Sequence, residues 1–425
     1  MKQNLVISCP ATSRSGYGDH SRDLIRSLMS MDKFNIKIMD QRWGSCPRNA
    51  LSPSDPISKL IMPKGPINYK PDVWIQVTVP NEFQPVGNYN IGITAGIETD
   101  RVAPSWVEGC NRMDMVIVPS LHSKHTLEQT AYHKKDKAGN SVGEIKLTTP
   151  VHILSEGLDI NIFDKKEKSD FNLDAISEQF CFLQVGHWLQ GAHTHDRKDI
   201  GGLIQTFIQT FKGTGNKPAL ILKTSSATYS VTDRNDMLNR IKSIRKQMNI
   251  AEHLMPNIYL LHGDLTPVEL NDLYNHPKVK AMVSFTHGEG YGRPLQEFSV
   301  TGKPVFATNW SGHIDFLGNY TFKLPCRLAE VHESALQPGI FEKGAKWAYI
   351  DYGYASKTLK DCYKKYKNYL STSRKQRKYI KDNFTLEHMT DNFKTLLDDN
   401  VKQNVPINIP QIKLPKLKKL EKVNG

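Results

Sequence analysis

Short apolar runs recur along the chain, each closed by Gly, Pro or Ser and each followed by a polar or helical stretch. "NLVIS" (residues 4–8) comes first, then a polar glycine-containing loop, "TSRSGYGDHSRD", and a helical spacing through Leu24, Ile25 and Leu28. "DVWIQV" (72–77), "NIGITA" (90–95), "MDMVIVPS" (113–120) and "VHILSEG" (151–157) follow. Continuous apolar runs of this length, ending in turn residues, predict parallel strands buried on both faces. A polar, Lys-rich segment at 130–149 reads as a surface excursion. A second series opens at "FCFLQVG" (180–186) and continues through "ALILKT", "IYLLHGD", "KAMVSF" and "PVFATN". Between its first two strands, Ile200, Leu203, Ile204, Phe207, Ile208 and Phe211 recur at helical spacing. The polar stretch "DINIFDKKEKSDFNLDAISEQ" separates the two series as a link. The expected architecture is α/β: two Rossmann-like domains facing a cleft, over 1–165 and 166–385. A closing helix and a basic tail occupy 386–425.

Composition narrows the class. The chain has 425 residues, 39% hydrophobic and 23% charged, enough for two cores. No apolar run approaches the ~20 residues of a transmembrane helix, and "MKQNLVISCP" reads as a buried strand, not a signal peptide. The six cysteines are scattered without a C-x-x-C pair, which predicts a reducing cytoplasm instead of a disulfide framework or zinc ribbon. Net charge is +13. It is concentrated: residues 356–381 hold ten Lys/Arg against Asp361 alone, and residues 401–425 hold six Lys against Glu421 alone. A C-terminal cationic region of this kind suits a polyanionic partner, either nucleic acid or an acidic membrane surface.

Two glycine-bearing loops follow predicted strands, where open parallel sheets bind ligands and helix N-termini favour phosphate. The first carries Gly16, Tyr17 and Gly18 and also reads as a plain strand-to-helix turn. The second, "FTHGEGYGRPLQE" (285–297), sets Glu289 and Glu297 eight positions apart. Pro294 suits an early helical position, so a helix beginning near Arg293 is expected. Glu289 then lies in the loop and Glu297 about one turn inside. Carboxylates there either cap the helix or accept from sugar hydroxyls, while Gly290 and Gly292 let backbone N–H groups reach a diphosphate. His187, His193 and His195 match no common zinc spacing and read as a solvated loop. His262 and Asp264 in "LLHGDL" stand either beside a nucleotide base or in a simple turn.

At this point a family resemblance becomes specific. "HGEGYGRPLQEFSVTGKPVFATNWSGHIDFL" resembles the E-x7-E signature of retaining glycosyltransferases of family four, which have the GT-B architecture. "ETDRVAPSWVEGCNRMDMVIVPSLHSKHTL", "VHILSEGLDINIF" and "FLQVGHW…RKDIGGLIQTF" resemble further family segments in the same order, over about residues 6–317. The resemblance implies a nucleotide-diphosphate-sugar co-substrate, UDP-linked, with no tightly bound cofactor and no metal. It places Glu297 at the ribose hydroxyls, Glu289 at the transferred sugar, the backbone of Gly290, Tyr291 and Gly292 at the sugar and phosphates, and Lys198 at the diphosphate. There Lys198 would offset charge growing on the leaving phosphate. The family arginine five residues before that lysine is His193 here, and Arg197, beside Lys198, is the candidate substitute. Retention by front-face attack demands no dedicated nucleophile. Tyr17, Asp19, His20, Glu98 and Arg101 are the polar groups of the first domain expected to face the cleft. For His20 the alternative is an ordinary helix-start histidine; for Glu98 and Arg101, a mutual ion pair.

The acceptor is less constrained. "KTLKDCYKKYKNYLSTSRKQRKYIK" interleaves Tyr363, Tyr366, Tyr369 and Tyr379 with lysines. The tyrosines either pack while the lysines snorkel, or the cations neutralise phosphates. Lys364, Lys365, Lys367, Arg374, Lys375, Arg377 and Lys378 are the candidate nucleic-acid contacts. The chain is also similar to glycosyltransferases encoded by tailed bacteriophages. That likeness implies double-stranded DNA carrying 5-hydroxymethylcytosine as acceptor, reached by base flipping in the host cytoplasm. The alternatives are a surface polysaccharide, lipid-linked glycan or protein acceptor, or a binding module without turnover.

Overall fold

The structure is a computed structural model that describes residues 2–135, 140–226 and 228–401. The basic tail expected beyond residue 401 lies outside the described residues. The first half contains β1 (Gln3–Cys9), α1 (Gly16–Met31), β2 (Phe34–Asp40), β3 (Val73–Val77), β4 (Tyr89–Ile93), α2 (Pro104–Cys110), β5 (Met115–Val118) and α3 (Leu121–Gln129). It closes with β6 (Ala131–Lys135), β7 (Ser141–Lys146) and β8 (Val151–Ile153). Six of these strands form one sheet in the order β2-β1-β3-β4-β5-β8, and every pairing in it is parallel. β6 and β7 pair antiparallel as a separate hairpin, the form that the Lys-rich excursion takes.

The second half follows the same logic. β9 (Cys181–Val185), α4 (Ile200–Phe211), β10 (Ala219–Lys223), α5 (Val231–Gln247), β11 (Ile258–Leu261), α6 (Pro267–Asn275) and β12 (Val279–Ser284) lead to α7 (Arg293–Ser299). β13 (Val305–Thr308), α8 (Ile314–Leu317) and β14 (Phe322–Leu324) complete a parallel sheet in the order β11-β10-β9-β12-β13-β14. Strand order reverses at β9, so the loops leaving β9 and β12 diverge and open a crevice at their carboxyl ends. Lys198 lies on the first of those loops and Glu289 on the second.

Two elements depart from the apolar-run reading. β2 was not expected because it is an edge strand whose residues alternate between inward and exposed positions. After β14 the chain also builds an antiparallel hairpin, β15 (Cys326–Glu330) and β16 (Lys346–Ile350). The linking stretch, polar in sequence, has no regular element. It still buries Phe163, Leu173 and Ile176 in the second domain's core.

Three helices end the described chain: α9 (Tyr352–Lys364), α10 (Tyr366–Asn383) and α11 (Leu386–Asn400). α11 returns to the first domain, where Met389, Phe393 and Leu397 pack with Leu24, Ile25 and Leu28 of α1. Tyr363, Tyr366 and Tyr369 pack against the second core. Their hydroxyls donate to the Asn216 carbonyl (3.1 Å), the Lys280 carbonyl (3.1 Å) and Asp361 (2.9 Å). The aromatic half of this segment is therefore structural. Its cations are distributed differently: Lys364, Lys367, Arg374 and Lys375 are exposed, Lys365 pairs with Asp361 and Lys378 with Asp382. Arg377 and Lys381 both hold Asp164, at 2.8 and 2.6 Å. No helix among the described residues is long and apolar enough to cross a membrane.

Candidate active site

The loop from β12 to α7 is held by the protein's own contacts. Gly292 caps α7 at φ +102°, a conformation that a side chain rarely adopts. Glu289 donates its backbone N–H to Ser311 Oγ (2.9 Å), and its carbonyl accepts from Gly312 (2.8 Å). His287, fully buried, exchanges backbone and ring hydrogen bonds with Ala348 of β16 and lies flat against Trp347 at 4.8 Å between ring centroids. Hairpin β15–β16, which the sequence pattern did not reveal, thus buttresses the glutamate loop. It also reaches the first domain, where Asp100 accepts from the Lys346 N–H at 2.7 Å.

Glu289 is 6% exposed and lies against both expected cations. Lys198 Nζ donates to one carboxylate oxygen, and Arg197 Nη1 donates to the other at 3.1 Å. Burial pushes the Glu289 carboxyl up, but Lys198 and then Arg197 outweigh it and bring it down to about 2. Lys198 reaches this position along Gly186, where an added Cβ would sit 3.0 Å from its Cε. Arg197 turns inward, with its side chain 18% exposed. Its guanidinium also lies 3.7 Å from Glu98 of the first domain. Burial raises the Glu98 carboxyl even though Arg197 opposes it. Arg101, expected at the cleft, is exposed and lies 3.9 Å from Asp100, and the alternative Glu98–Arg101 pair does not form among the described residues.

Glu297 is one turn into α7, 7% exposed, and accepts from the fully buried Tyr274 hydroxyl at 3.1 Å. Burial lifts its carboxyl to about 7, against the pull of Arg293. Arg293 is a site residue that sequence reasoning used only to mark the helix start. Its Nη1 lies 2.9 Å from Asp23 of α1 and 3.0 Å from Glu156 after β8, both in the first domain. The four-residue spacing of Arg293 and Glu297 was a readable signal. Asp23 and Glu156 carried none, because they arrive from distant segments.

The first glycine loop caps α1 through Ser15, whose side chain accepts from the Gly18 N–H. Gly18 is required by space: a Cβ there would lie 2.2 Å from the Ser13 carbonyl oxygen. Gly16 meets nothing within 4 Å. Tyr17 turns from solvent to stack on Trp43 (4.1 Å between centroids), and its oxygen accepts from the Ala95 and Gly96 N–H groups, each at 3.1 Å. Asp19 pairs with Arg22. His20 is 1% exposed, and burial lowers it to about 4, so a neutral ring packed inside α1 is what the structure places there. His262 follows β11 and lies 2.6 Å from Asp233, while nearby Asp264 reaches across to Arg14 at 3.3 Å. His187, His193 and His195 diverge, to Ser225, Gln205 and His332 respectively.

The two domains touch through backbone at the centre of the cleft. A Cβ on Gly288 would lie 2.0 Å from the Glu98 carbonyl oxygen, and one on Gly290 would lie 1.5 Å from that of Ala95. Ser120 Oγ donates to the Gly290 carbonyl (2.8 Å), and the Leu121 N–H donates to Asp315 (2.6 Å). The cavity lined by Lys198, Ser284, Glu289 and Pro294 holds only about 10 Å³.

No model of a known protein family matches the chain, and no curated protein sequence matches it. Solved structures do. A glycosyltransferase of Rickettsia africae superposes with a TM-score of 0.60 at 13% identity, covering 95% of this chain and 99% of its own. A sucrose-phosphate synthase of Thermosynechococcus elongatus gives 0.63 at 12% identity, covering 94% and 99%. HepE of Anabaena, solved with UDP-glucose, gives 0.56 at 11% identity, covering 93% and 100%. Agreement over nearly the full length of both chains, together with two six-stranded parallel sheets facing one cleft, establishes the two-domain GT-B fold for this protein.

Proposed function

We propose that this protein is a retaining glycosyltransferase that moves a sugar from a nucleoside-diphosphate sugar to a hydroxyl acceptor. The observation that carries the reading is the convergence of Lys198 and Arg197, from one loop, on Glu289, from another, at the crevice where strand order reverses. Glu297 stands one helical turn further in. In the structure the two cations hold Glu289. A bound diphosphate would draw them onto its oxygens and leave the Glu289 carboxylate for the sugar hydroxyls. As the bond from C1 to the β-phosphate oxygen breaks, Lys198 and Arg197 offset the charge on the leaving group. The acceptor oxygen bonds to C1 on the same face, and its proton passes to the departing phosphate. Two side-chain cations supply the neutralisation, so no metal ion is invoked. A UDP-sugar is the favoured donor, in keeping with the UDP-glucose bound to HepE.

The proposed acceptor is 5-hydroxymethylcytosine in DNA, in the host cytoplasm for a phage-borne enzyme. It rests on the charge of α9–α10 and on the sequence resemblance. The cationic row of α10 passes Gly302, beyond the far end of α7 from Glu289. A seven-residue helix separates them by roughly 10 Å or more, so a duplex on that row would lie beside the cleft. Incubation with UDP-, GDP- and ADP-sugars, against hydroxymethylated DNA, plain DNA and a glycan, tests donor and acceptor together. Release of nucleoside diphosphate with retained anomeric configuration is expected, and no release from any donor would overturn the enzyme reading. Neutralising Lys364, Lys367, Arg374 and Lys375 is expected to weaken DNA binding and flatten its salt dependence by up to about four charges. An unchanged slope would remove the charge argument for DNA and leave a glycan acceptor as the reading.

A further inference from the structure

We propose that Arg293 couples domain docking to donor binding: the first domain's Asp23 and Glu156 draw its guanidinium away from Glu297 and leave a carboxylate oxygen uncommitted for the ribose. This rests on the donor reading above. Arg293 and Glu297 are four residues apart on α7, so their side chains share one helix face. A solitary arginine at that spacing would lie on the glutamate. Here it does not. Arg293 Nε stays 3.8 Å from Glu297 Oε1, beyond hydrogen-bond reach, and finds no partner among the described residues. The terminal nitrogen instead lies 2.9 Å from Asp23 and 3.0 Å from Glu156.

The other oxygen of Glu297 is held by Tyr274, which is fully buried. The carboxylate is therefore oriented through Oε2, while no hydrogen bond to Oε1 occurs among the described residues. Glu156 is itself fastened to the second domain: its carbonyl accepts from the Tyr291 hydroxyl at 2.8 Å and from Gln296 Nε2 at 3.0 Å. The network spans both domains, and its carboxylates and guanidinium are each at most 14% exposed on their side chains. When the domains part, those cross-domain bonds break, Asp23 and Glu156 leave with the first domain, and the guanidinium, a rigid fork suited to carboxylates, has Glu297 as its nearest remaining partner. Ribose hydroxyls would then compete with Arg293. Docking removes the competitor, so full grip on the donor arrives only with closure.

The test compares affinities for a nucleoside diphosphate and its 2′,3′-dideoxy analogue, using whichever of UDP, GDP or ADP the wild-type protein binds best. Working at pH 9 places Glu297, at about 7, in its ionised form. Wild type should prefer the hydroxylated ligand by about tenfold or more, the scale of a hydrogen bond to a charged group. Asp23→Asn with Glu156→Gln should lose most of that preference although Arg293 and Glu297 are intact. Adding Arg293→Met to that pair should restore it, because the competing guanidinium is gone. Restoration is the decisive result, since a merely loosened interface would worsen with a third substitution. Failure to restore, or full preference in the Asp23/Glu156 pair, overturns the coupling alone. Absence of binding to all three nucleotides overturns the donor reading and the coupling with it.

Discussion

Glu289→Gln is expected to lower sugar transfer by about 10²–10³-fold, the usual loss for one preorganised electrostatic contact, while the protein remains folded. The substitution keeps shape and removes charge. Glu289 is ionised at neutral pH because Lys198 and Arg197 hold its carboxyl at about 2. That depressed value adds stability above the ordinary carboxylate range, which is lost as pH falls towards 2. Without the charge, Lys198 loses its carboxylate partner in a buried position, and Arg197 retains the Gly288 carbonyl at 3.2 Å and Glu98 at 3.7 Å. Breaking a buried pair from one side costs on the order of 3 kcal/mol. The variant should therefore melt earlier at pH 7, and the gap from wild type should narrow as the buffer is taken towards pH 2. Transfer assays with thermal melts at both pH values check the two claims separately. Wild-type turnover in the variant would remove Glu289 from the mechanism, and an unchanged melt would remove the ion pair from the stability account.

Gly290→Ala is expected to reduce kcat/KM by about 100-fold or more, through closure and not through chemistry. The new methyl would meet the Ala95 carbonyl oxygen at 1.5 Å, and the obstacle is backbone, which has no rotamer to yield. Each domain has its own core, so folding should survive. The clash instead holds the domains apart and separates Glu289 from Glu98. Misplacement of about 1 Å at a reacting centre is enough for losses of this size. The variant should still bind nucleoside diphosphate, and small-angle scattering should report a larger radius of gyration. Gly215→Ala is a suitable control: its site has open space and no left-handed backbone, so it should be silent. A compact, fully active Gly290→Ala protein would show that the cleft does not close on this contact.

The candidate site was unevenly legible in the chain. Glu289 and Glu297 could be read because a strand, a glycine-rich turn and a helix N-terminus follow one another within a dozen residues, whereas Lys198 entered only through the family resemblance. Local geometry at such a junction is set by near neighbours. Arg197 was readable as a residue but not in its direction, since that depends on how the loop between β9 and α4 turns at Asp199, a left-handed position at φ 46°. Hairpin β15–β16 was missed because its apolar residues alternate, and Trp347 packs in a small separate cluster with Val331, Ala335 and Ala345. The tyrosines of α9–α10 had two readings in sequence, and it is their packing on the second core that separates them.

By itself, then, the sequence determined what is encoded at short range: buried parallel strands, helix starts, glycine turns, and the pair of carboxylates eight residues apart. Short-range patterns suffice because hydrophobic periodicity and turn chemistry act within a few residues. Only the tertiary structure decided what depends on groups meeting across long separations. It set Glu98 against Arg197, Asp23 and Glu156 against Arg293, and Gly290 against Ala95. These meetings arise from the docking of two separately folded sheets, and charge or steric complementarity between distant segments leaves no periodic trace in a single chain.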